Sequence, residues 1–295
     1  DMNANISSVA NKIISLPYNG VDKNRVGGYE VAAGKVGADG KFPTKWIAGR
    51  QEGGKLGELV AYKQQHIFKD WDDVKQHANM RIDEVANLYG PGLADQINPL
   101  TNKPYKESTG WQPIEPGDVC WEDMNGDDVI NGYDRYVVGN IFPNITGGFS
   151  TTFGYKGISL YARFDYALGH TLYNDLAARS LGQYQGSFNV IDKVKDTWSE
   201  ANPNSDLPKF YYADQLSKKN ITRSNDSNTA ADSNSSRFYE KGDYLALREI
   251  TLSYQLPKSL ISKVHMTDAS VYVTGQNLFY ITGYEGVSPE PVVST

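Results

Sequence analysis

Six positions between residues 123 and 134 form the part of the sequence with the clearest capacity for chemistry. They follow the 1, 3, 5, 7, 9, 12 spacing of an EF-hand-type calcium loop and are Asp123, Asn125, Asp127, Val129, Asn131 and Asp134. Ca²⁺ takes several oxygen ligands from side chains, and the seventh position of such a loop adds a backbone carbonyl. The spacing therefore predicts a Ca²⁺ site that stiffens a loop and has no catalytic role.

The sixth position of this loop departs from the usual pattern. It is normally a glycine at a sharp turn, but here it is Asp128, and Gly126 stands two residues earlier. Aspartate tolerates the left-handed backbone conformation better than most residues, so the loop geometry can survive the change. The alternative interpretation is a series of Asx turns in an external loop that holds no ion. The sequence leaves both interpretations open.

Other residues with catalytic potential are scattered. The four histidines, His66, His77, His170 and His265, lie in unrelated segments and suggest neither a zinc site nor a triad. Cys120 is the only cysteine, which excludes an internal disulfide, and we interpret it as structural. The adjacent Asp72 and Asp73 are more typical of a solvated helix face than of a glycosidase acid–base pair. We therefore predict that the protein is not an enzyme.

The composition narrows the class of protein. The chain of 295 residues carries a net charge of −6 with no basic block, which argues against a nucleic-acid partner. Its 28 glycines and 20 tyrosines favour β structure with long loops. The sequence contains no run of about 18 apolar residues, so it predicts no membrane helix. The strands of an outer-membrane barrel, however, need only about 9–11 alternating residues each.

The elements that must position any site begin with a hairpin over residues 145–168, with a tight turn at Lys156. Its second strand places Ile158, Leu160, Ala162, Phe164 and Tyr166 on one face. Its first strand places Ile145, Phe149, Phe153 and Tyr155 on the apolar face. One wall is thus apolar and the other polar. The apolar wall could cover the core of a soluble sandwich, or it could face lipid around a wet barrel lumen.

Three further strands are predicted, one within residues 1–16 and two within 244–279. A short connection joins the last two, whereas residues 17–140 and 169–240 form long connections. The spacing of apolar residues predicts one or two short helical turns within Trp71–Tyr89 and a helix at Val190–Glu200. Loops longer than about 12–15 residues are uncommon in compact soluble domains. Short turns at one end and long loops at the other are typical of outer-membrane barrels, so the pattern favours the barrel.

Several motifs in order give the sequence a family resemblance. They are GD-x-x-x-x-DMNGD-x-VI-x-x-x-D-x-x-VVGN, the N-x-TGGF strand, YKG-x-SL, RFYEKGDYLALREITLSYQLPKSL and VYVTGQNLFYITGYEG-x-SPE. This succession, from about Gly117 to Glu290, resembles the C-terminal half of SusC-like TonB-dependent transporters of Bacteroidetes outer membranes. The opening ANISSVANKIISL resembles a preceding barrel strand of that family.

The resemblance implies an all-β fold: part of a large antiparallel transmembrane β-barrel, of about 22 strands in the full protein, with long extracellular loops carrying short helices. It implies residence in the bacterial outer membrane, with 17–140 and 169–240 extracellular and 280–295 beginning another loop. It also implies energy from TonB through a missing N-terminal region, a SusD-like surface lipoprotein partner, and an oligosaccharide or peptide as cargo. The plug domain and closing strand are expected to lie outside this sequence.

Three functions remain in competition at this stage. The leading one is TonB-dependent import of a bulky nutrient. The main alternative is a secreted, calcium-stabilised carbohydrate-binding β domain, and the third is a glycoside hydrolase. Their clearest difference is the apolar face, because only the importer needs lipid or detergent to cover it.

Overall fold

A computed structural model describes residues 1–82, 87–183, 189–211, 218–221, 223 and 235–290. The chain divides into two compact units. The first comprises Asp1–Asn11, Ile141–Leu172 and Glu240–Thr295, and the second comprises Lys12–Asn140 and Tyr173–Tyr239. Within the described ranges, none of the helices has both the length and the apolar character that a membrane crossing requires.

The first unit is built around one five-stranded antiparallel sheet. Its strands are β1 (Met2–Ser8), β2 (Ile145–Tyr155), β3 (Ile158–Leu168), β4 (Tyr244–Gln255) and β5 (Ser270–Thr282). They lie side by side in chain order. The two-residue turn between β2 and β3 places Lys156 and Gly157 at positive φ, which suits the right-handed twist of a hairpin. A short helix, Lys258–Ile261, and a 3₁₀ turn, Ser262–Val264, connect β4 to β5.

The register of the sheet aligns apolar residues across neighbouring strands. Phe153 pairs with Leu160, Leu160 with Leu252, and Leu252 with Val273. The register shifts at Arg248, where β4 carries one more residue than β3. This bulge moves the apolar positions from odd numbers (Leu245, Leu247) to even numbers (Ile250, Leu252, Tyr254) without changing their face.

The second unit consists of short elements. Its strands are Tyr29–Ala32, Thr44–Ile47, Glu58–Tyr62, Gln64–Ile67, Arg81–Ile82, Leu88–Tyr89, Ile97–Asn98, Lys103–Pro104, Gln112–Pro113, Val119–Trp121, Val129–Ile130 and Arg135–Asn140. Its helical segments are Asp22–Asn24, Trp71–Gln76, Pro91–Leu93, Tyr105–Glu107, Gly132–Asp134, Asp175–Ala178, Arg179–Gln183, Asp192–Asp196 and Ser236–Phe238. The strands Thr171–Tyr173 and Tyr239–Lys241 lie where the chain passes from one unit to the other.

Among its described residues, the second unit has three clusters of buried apolar side chains, of which the one between residues 62 and 130 contains the most residues. This core cluster contains the buried side chains of Tyr62, Phe68, Val74, Met80, Ile82, Leu88, Ile114, Val119, Cys120, Trp121 and Ile130. Asp70 caps the helix Trp71–Gln76 by accepting hydrogen bonds from the N–H groups of Asp72 and Asp73. The region expected from the sequence to be loop, residues 17–140, therefore contains a folded body with its own interior.

The short helical turns expected within Trp71–Tyr89 agree with the structure, whereas the helix expected over Val190–Glu200 was too long. The pattern over Trp71–Tyr89 yields a helix only at Trp71–Gln76, followed by extended segments at Arg81–Ile82 and Leu88–Tyr89, and residues 83–86 lie outside the described part. Val190–Glu200 contains a five-residue 3₁₀ helix, Asp192–Asp196. Short runs with buried apolar side chains fit a strand as well as a helix, and tertiary packing decided between them. The predicted fold class, an all-β antiparallel structure with short helices in its connections, is confirmed.

Candidate functional site

One face of the five-stranded sheet in the first unit is apolar and carries exposed side chains. At its centre the phenyl rings of Phe149 and Phe164 stack with their centroids 4.6 Å apart. Towards the β2–β3 turn the side chains are open: Phe153 is 69% exposed, Leu252 is 50% exposed and Leu160 is 39% exposed. A sandwich would bury these residues beneath a second layer. Because they are exposed, the described residues do not provide such a layer.

The opposite face of the same sheet is polar. Ser159 is paired with Ser253, Tyr161 with Thr251, and Arg163 with Glu249. The hydroxyl groups of Thr251 and Thr274 share a hydrogen bond of 2.9 Å across β4 and β5. Alternating residues thus give the sheet one apolar and one polar side, which is the pattern of a barrel wall.

An ion cluster on the polar face is centred on Arg248, the residue of the bulge. Its guanidinium group contacts both carboxylate oxygens of Asp165, the Nη2–Oδ2 distance being 2.9 Å, and also contacts Glu290. It donates a further hydrogen bond of 3.1 Å to the hydroxyl of Tyr280. Arg163 lies two residues from Asp165, on the same face of β3. The structure pairs Asp165 with Arg248 instead, because the bulge turns that side chain towards it.

The predicted calcium loop has a well-defined geometry, in which the side chains bind backbone N–H groups. Asp123 accepts from Asn125 N at 3.2 Å, Gly126 N at 2.5 Å and Asp128 N at 2.8 Å. Asp127 accepts from Val129 N at 2.9 Å. These are Asx turns, the alternative that the sequence left open.

The end of the loop is closed by the buried carboxylate of Asp134. It accepts from Met124 N and Asn131 N, both at 2.8 Å. Burial raises the pKa of Asp134 to about 6, while those two backbone N–H groups act in the opposite direction and the carboxylates of Asp123 and Asp127 raise it further. Asp128 takes φ +62°, the left-handed conformation that the sequence required of it.

The fit of this loop to Ca²⁺ is mixed. Its oxygen donors are of the correct chemical type, and Asn125 and Asp134 are buried. Across the described ranges, however, no three Asp, Glu, His or Cys side chains converge as a metal-binding group would. The Ca²⁺ ligands predicted at Asp123, Asn125, Asp127, Val129, Asn131 and Asp134 stay a prediction.

The side chains considered for catalysis have structural surroundings. Burial raises the pKa of the Cys120 thiol to about 12, so it is protonated at neutral pH and a poor nucleophile. Asp72 forms an exposed ion pair of 2.9 Å with Lys75, whereas Asp73 lies 3.1 Å from His66 Nε2. The two carboxylates therefore have different partners and are not arranged as an acid–base pair.

One feature was not anticipated from the sequence. Two adjoining cavities, of 350 Å³ and 410 Å³, lie in the second unit and share Lys69 and Pro203 in their linings. The first is bordered by Trp71 and Trp198. Because residues 64–73 and 198–209 are far apart in the chain, no local motif indicates that they meet.

The sheet and its two faces define a class of protein: this chain contains part of a large antiparallel β-barrel. No family model matches the sequence. Curated proteins, however, are similar to it in sequence. TonB-dependent receptor P3 of Formosa agariphila is 29% identical over 176 residues, which is 60% of this chain and 16% of that protein. TonB-dependent receptor P39 of the same organism is 29% identical over 251 residues, covering 81% of this chain and 22% of the relative.

Among solved structures, the chain is similar to two described as the RagAB peptide transporter and as the RagAB peptide importer in the open-open state. The first has 26% identity and a TM-score of 0.46 over 60% of this chain and 18% of that chain. The second has 19% identity and a TM-score of 0.49 over 99% and 24%. The chain thus spans between a sixth and a quarter of the length of the proteins it matches. The curated relatives confirm the resemblance to TonB-dependent receptors that the sequence motifs indicated.

Proposed function

We propose that this chain forms part of the wall and loops of an outer-membrane importer that takes up a bulky nutrient with energy from TonB. The observation that carries the proposal is the exposed apolar face of the sheet, on which Phe153, Leu160 and Leu252 are uncovered. Lipid acyl chains would cover this face at no cost to backbone hydrogen bonding, because the strands already pair with one another. The function we propose is transport, without covalent chemistry on the cargo.

The lengths of the connections support an orientation. The β2–β3 turn has two residues, and the β4–β5 connection runs only from Leu256 to Ala269. Barrels of the outer membrane place short turns on the periplasmic side and long loops outside. We therefore place the Lys156 turn in the periplasm and the long connections outside the cell.

The partners follow from the family resemblance. We propose a SusD-like lipoprotein at the cell surface, TonB acting through a part of the protein beyond this sequence, and an oligosaccharide as cargo, with a peptide as the alternative cargo. The second unit supplies folded surface for such contacts, because its core fixes loops that would otherwise be mobile.

Uptake by the native organism tests the import function. Cells that lack the intact protein should fail to accumulate the cargo, and cells that lack TonB should show the same defect despite normal amounts of the protein in the outer membrane. The protein should be extracted from membranes only with detergent. Recovery of the protein from detergent-free culture medium, with uptake unaffected by its deletion, would instead support the secreted carbohydrate-binding domain.

A further inference from the structure

The two cavities of the second unit share Lys69 and Pro203 in their linings, and we treat them together as one groove. We call it the Trp71 groove. Each cavity has the volume of a small-molecule site, within the usual range of about 300–1,000 Å³. Two such cavities side by side offer space for a chain-like ligand as well as for a single small molecule.

The walls of the groove are held in place by hydrogen bonds. Trp198 Nε1 donates to the carbonyl of Lys69 at 3.2 Å, and the Trp198 N–H donates to the carbonyl of Leu207 at 2.9 Å. Gly117, at φ +92°, brings its backbone against the Trp198 ring, where a Cβ atom would lie 2.5 Å from the indole. The groove is thus pre-formed, which lowers the entropic cost of binding a ligand.

The side chains that face the groove include several without an intramolecular role. Trp71 is 51% exposed and stacks on no other ring within the described residues. The ammonium group of Lys69, the carboxylate of Glu200 and the amide of Asn204 likewise make no hydrogen bond or ion pair in the described part of the chain. An aromatic face beside a cation, an anion and an amide offers stacking together with donors and acceptors.

This combination matches the surface of a carbohydrate. A sugar ring has an apolar C–H face that packs on an indole, and its edge carries hydroxyl groups that both donate and accept hydrogen bonds. The charged side chains of the two linings are of both signs, so they do not select a ligand of one charge; they are Lys69, Lys209, Arg237, Asp70, Asp73, Glu115, Glu200 and Asp206. We propose that the Trp71 groove binds a neutral oligosaccharide, with one sugar ring on Trp71 and its hydroxyls bonded by Lys69, Glu200 and Asn204.

A peptide fits these walls less well. Extended peptides usually add to a free strand edge, with side chains entering apolar pockets. The strand that borders the groove, Gln64–Ile67, is already paired with Val119–Trp121 on one side. Near its other side the N–H of Gln64 donates to Ser236 Oγ at 3.1 Å. The backbone groups that a peptide would need are therefore partly occupied.

The proposal rests on the import function only in treating the bound oligosaccharide as captured cargo, and binding is measured without transport. The intact protein, purified in detergent, is titrated with hexasaccharides of α-1,4-glucan, β-1,4-glucan, β-1,3-glucan, xylan and mannan, and with a neutral hexapeptide. The variants are Trp71→Ala, Trp71→Phe and Trp46→Ala. Trp46 is a matched control because it is a tryptophan of the same unit. Its ring packs against Arg25, whose Cζ atom lies 4.0 Å from the ring centroid.

We expect at least one hexasaccharide to bind, with about tenfold weaker affinity after Trp71→Ala and a loss of only a few-fold after Trp71→Phe, since the loss of a stacking aromatic costs that much at a binding site. Trp46→Ala should bind as the parent does. The proposal is overturned if no hexasaccharide binds, if Trp71→Ala binds unchanged, or if the hexapeptide alone binds through Trp71. If these titrations fail while TonB-dependent uptake persists, the proposed sugar binding at the Trp71 groove is refuted and the import function stands. If a hexasaccharide binds through Trp71 but the protein needs no detergent, the sugar site stands and the import function is refuted.

Discussion

A charge placed on the apolar face of the sheet should destabilise the protein far more than the same charge one residue along the strand. Ile250 is the seventh residue of the twelve-residue strand β4 and belongs to the apolar face, whereas Thr251 belongs to the polar face. A strand of this length, rising about 3.3 Å per residue and tilted by about 40°, spans roughly 30 Å of bilayer. In the proposed membrane barrel, Ile250 is therefore near the midplane, and Thr251 lies at almost the same depth.

The expected magnitudes differ because the environments differ. An arginine on the lipid side near the midplane costs about 2–4 kcal/mol, equivalent to about 30- to 1,000-fold in the folding equilibrium. Thr251→Arg loses the 2.9 Å hydrogen bond between the hydroxyls of Thr251 and Thr274, worth about 1 kcal/mol, but its guanidinium group remains hydrated. Ile250→Arg should thus lower the free energy of unfolding by at least about 1 kcal/mol more than Thr251→Arg.

The assay is urea unfolding of the intact protein in phospholipid vesicles, with the amount of heat-modifiable folded protein in isolated outer membranes as a second measurement. The reasoning is refuted if the two arginine variants unfold at the same urea concentration. It is also refuted if Thr251→Arg is the less stable of the two.

Three further predictions concern the second unit. Titration calorimetry with Ca²⁺ should show binding that is lost in Asp127→Asn and retained in Asp39→Asn, an aspartate outside the loop, and an absence of heat at millimolar Ca²⁺ would end the calcium prediction. The Cys120 thiol, buried and with its pKa raised to about 12, should resist iodoacetamide at pH 8 until the protein is unfolded, and rapid alkylation of the folded protein would contradict that placement. Gly117→Ala should lower the free energy of unfolding by more than about 2 kcal/mol, because it combines φ +92° with a clash against Trp198. Gly40→Ala, at φ +75° in open space, should cost only about 1 kcal/mol, and equal effects of the two changes would show that the clash is relieved.

The sheet was largely predictable from the sequence because alternation is a local signal. Each strand carries its own pattern of apolar and polar residues, and Leu160 or Leu252 can be assigned to a face without knowledge of any neighbour. The bulge at Arg248 was not predictable, because simple alternation would have placed Leu247 and Ile250 on opposite faces. Its existence depends on pairing with two other strands.

The sites in the second unit show the limit of such reasoning. The loop from Asp123 to Asp134 is contiguous, so its turns and the left-handed Asp128 could be anticipated from spacing alone. The Trp71 groove joins residues more than a hundred positions apart, and only the fold brings them together.

The central claim is that the apolar face of the sheet contacts lipid, and spin-label accessibility tests it most directly. Single cysteines at Phe153, Leu160 and Leu252, and at their neighbours Thr152, Ser159 and Ser253, are labelled in the intact protein after replacement of Cys120 by alanine. In lipid bilayers, labels of the first set should collide with oxygen and be shielded from a water-soluble nickel chelate, and labels of the second set should show the opposite preference. Labels of the first set that are shielded from both reagents would mean that protein covers the face, and the importer assignment would then be wrong.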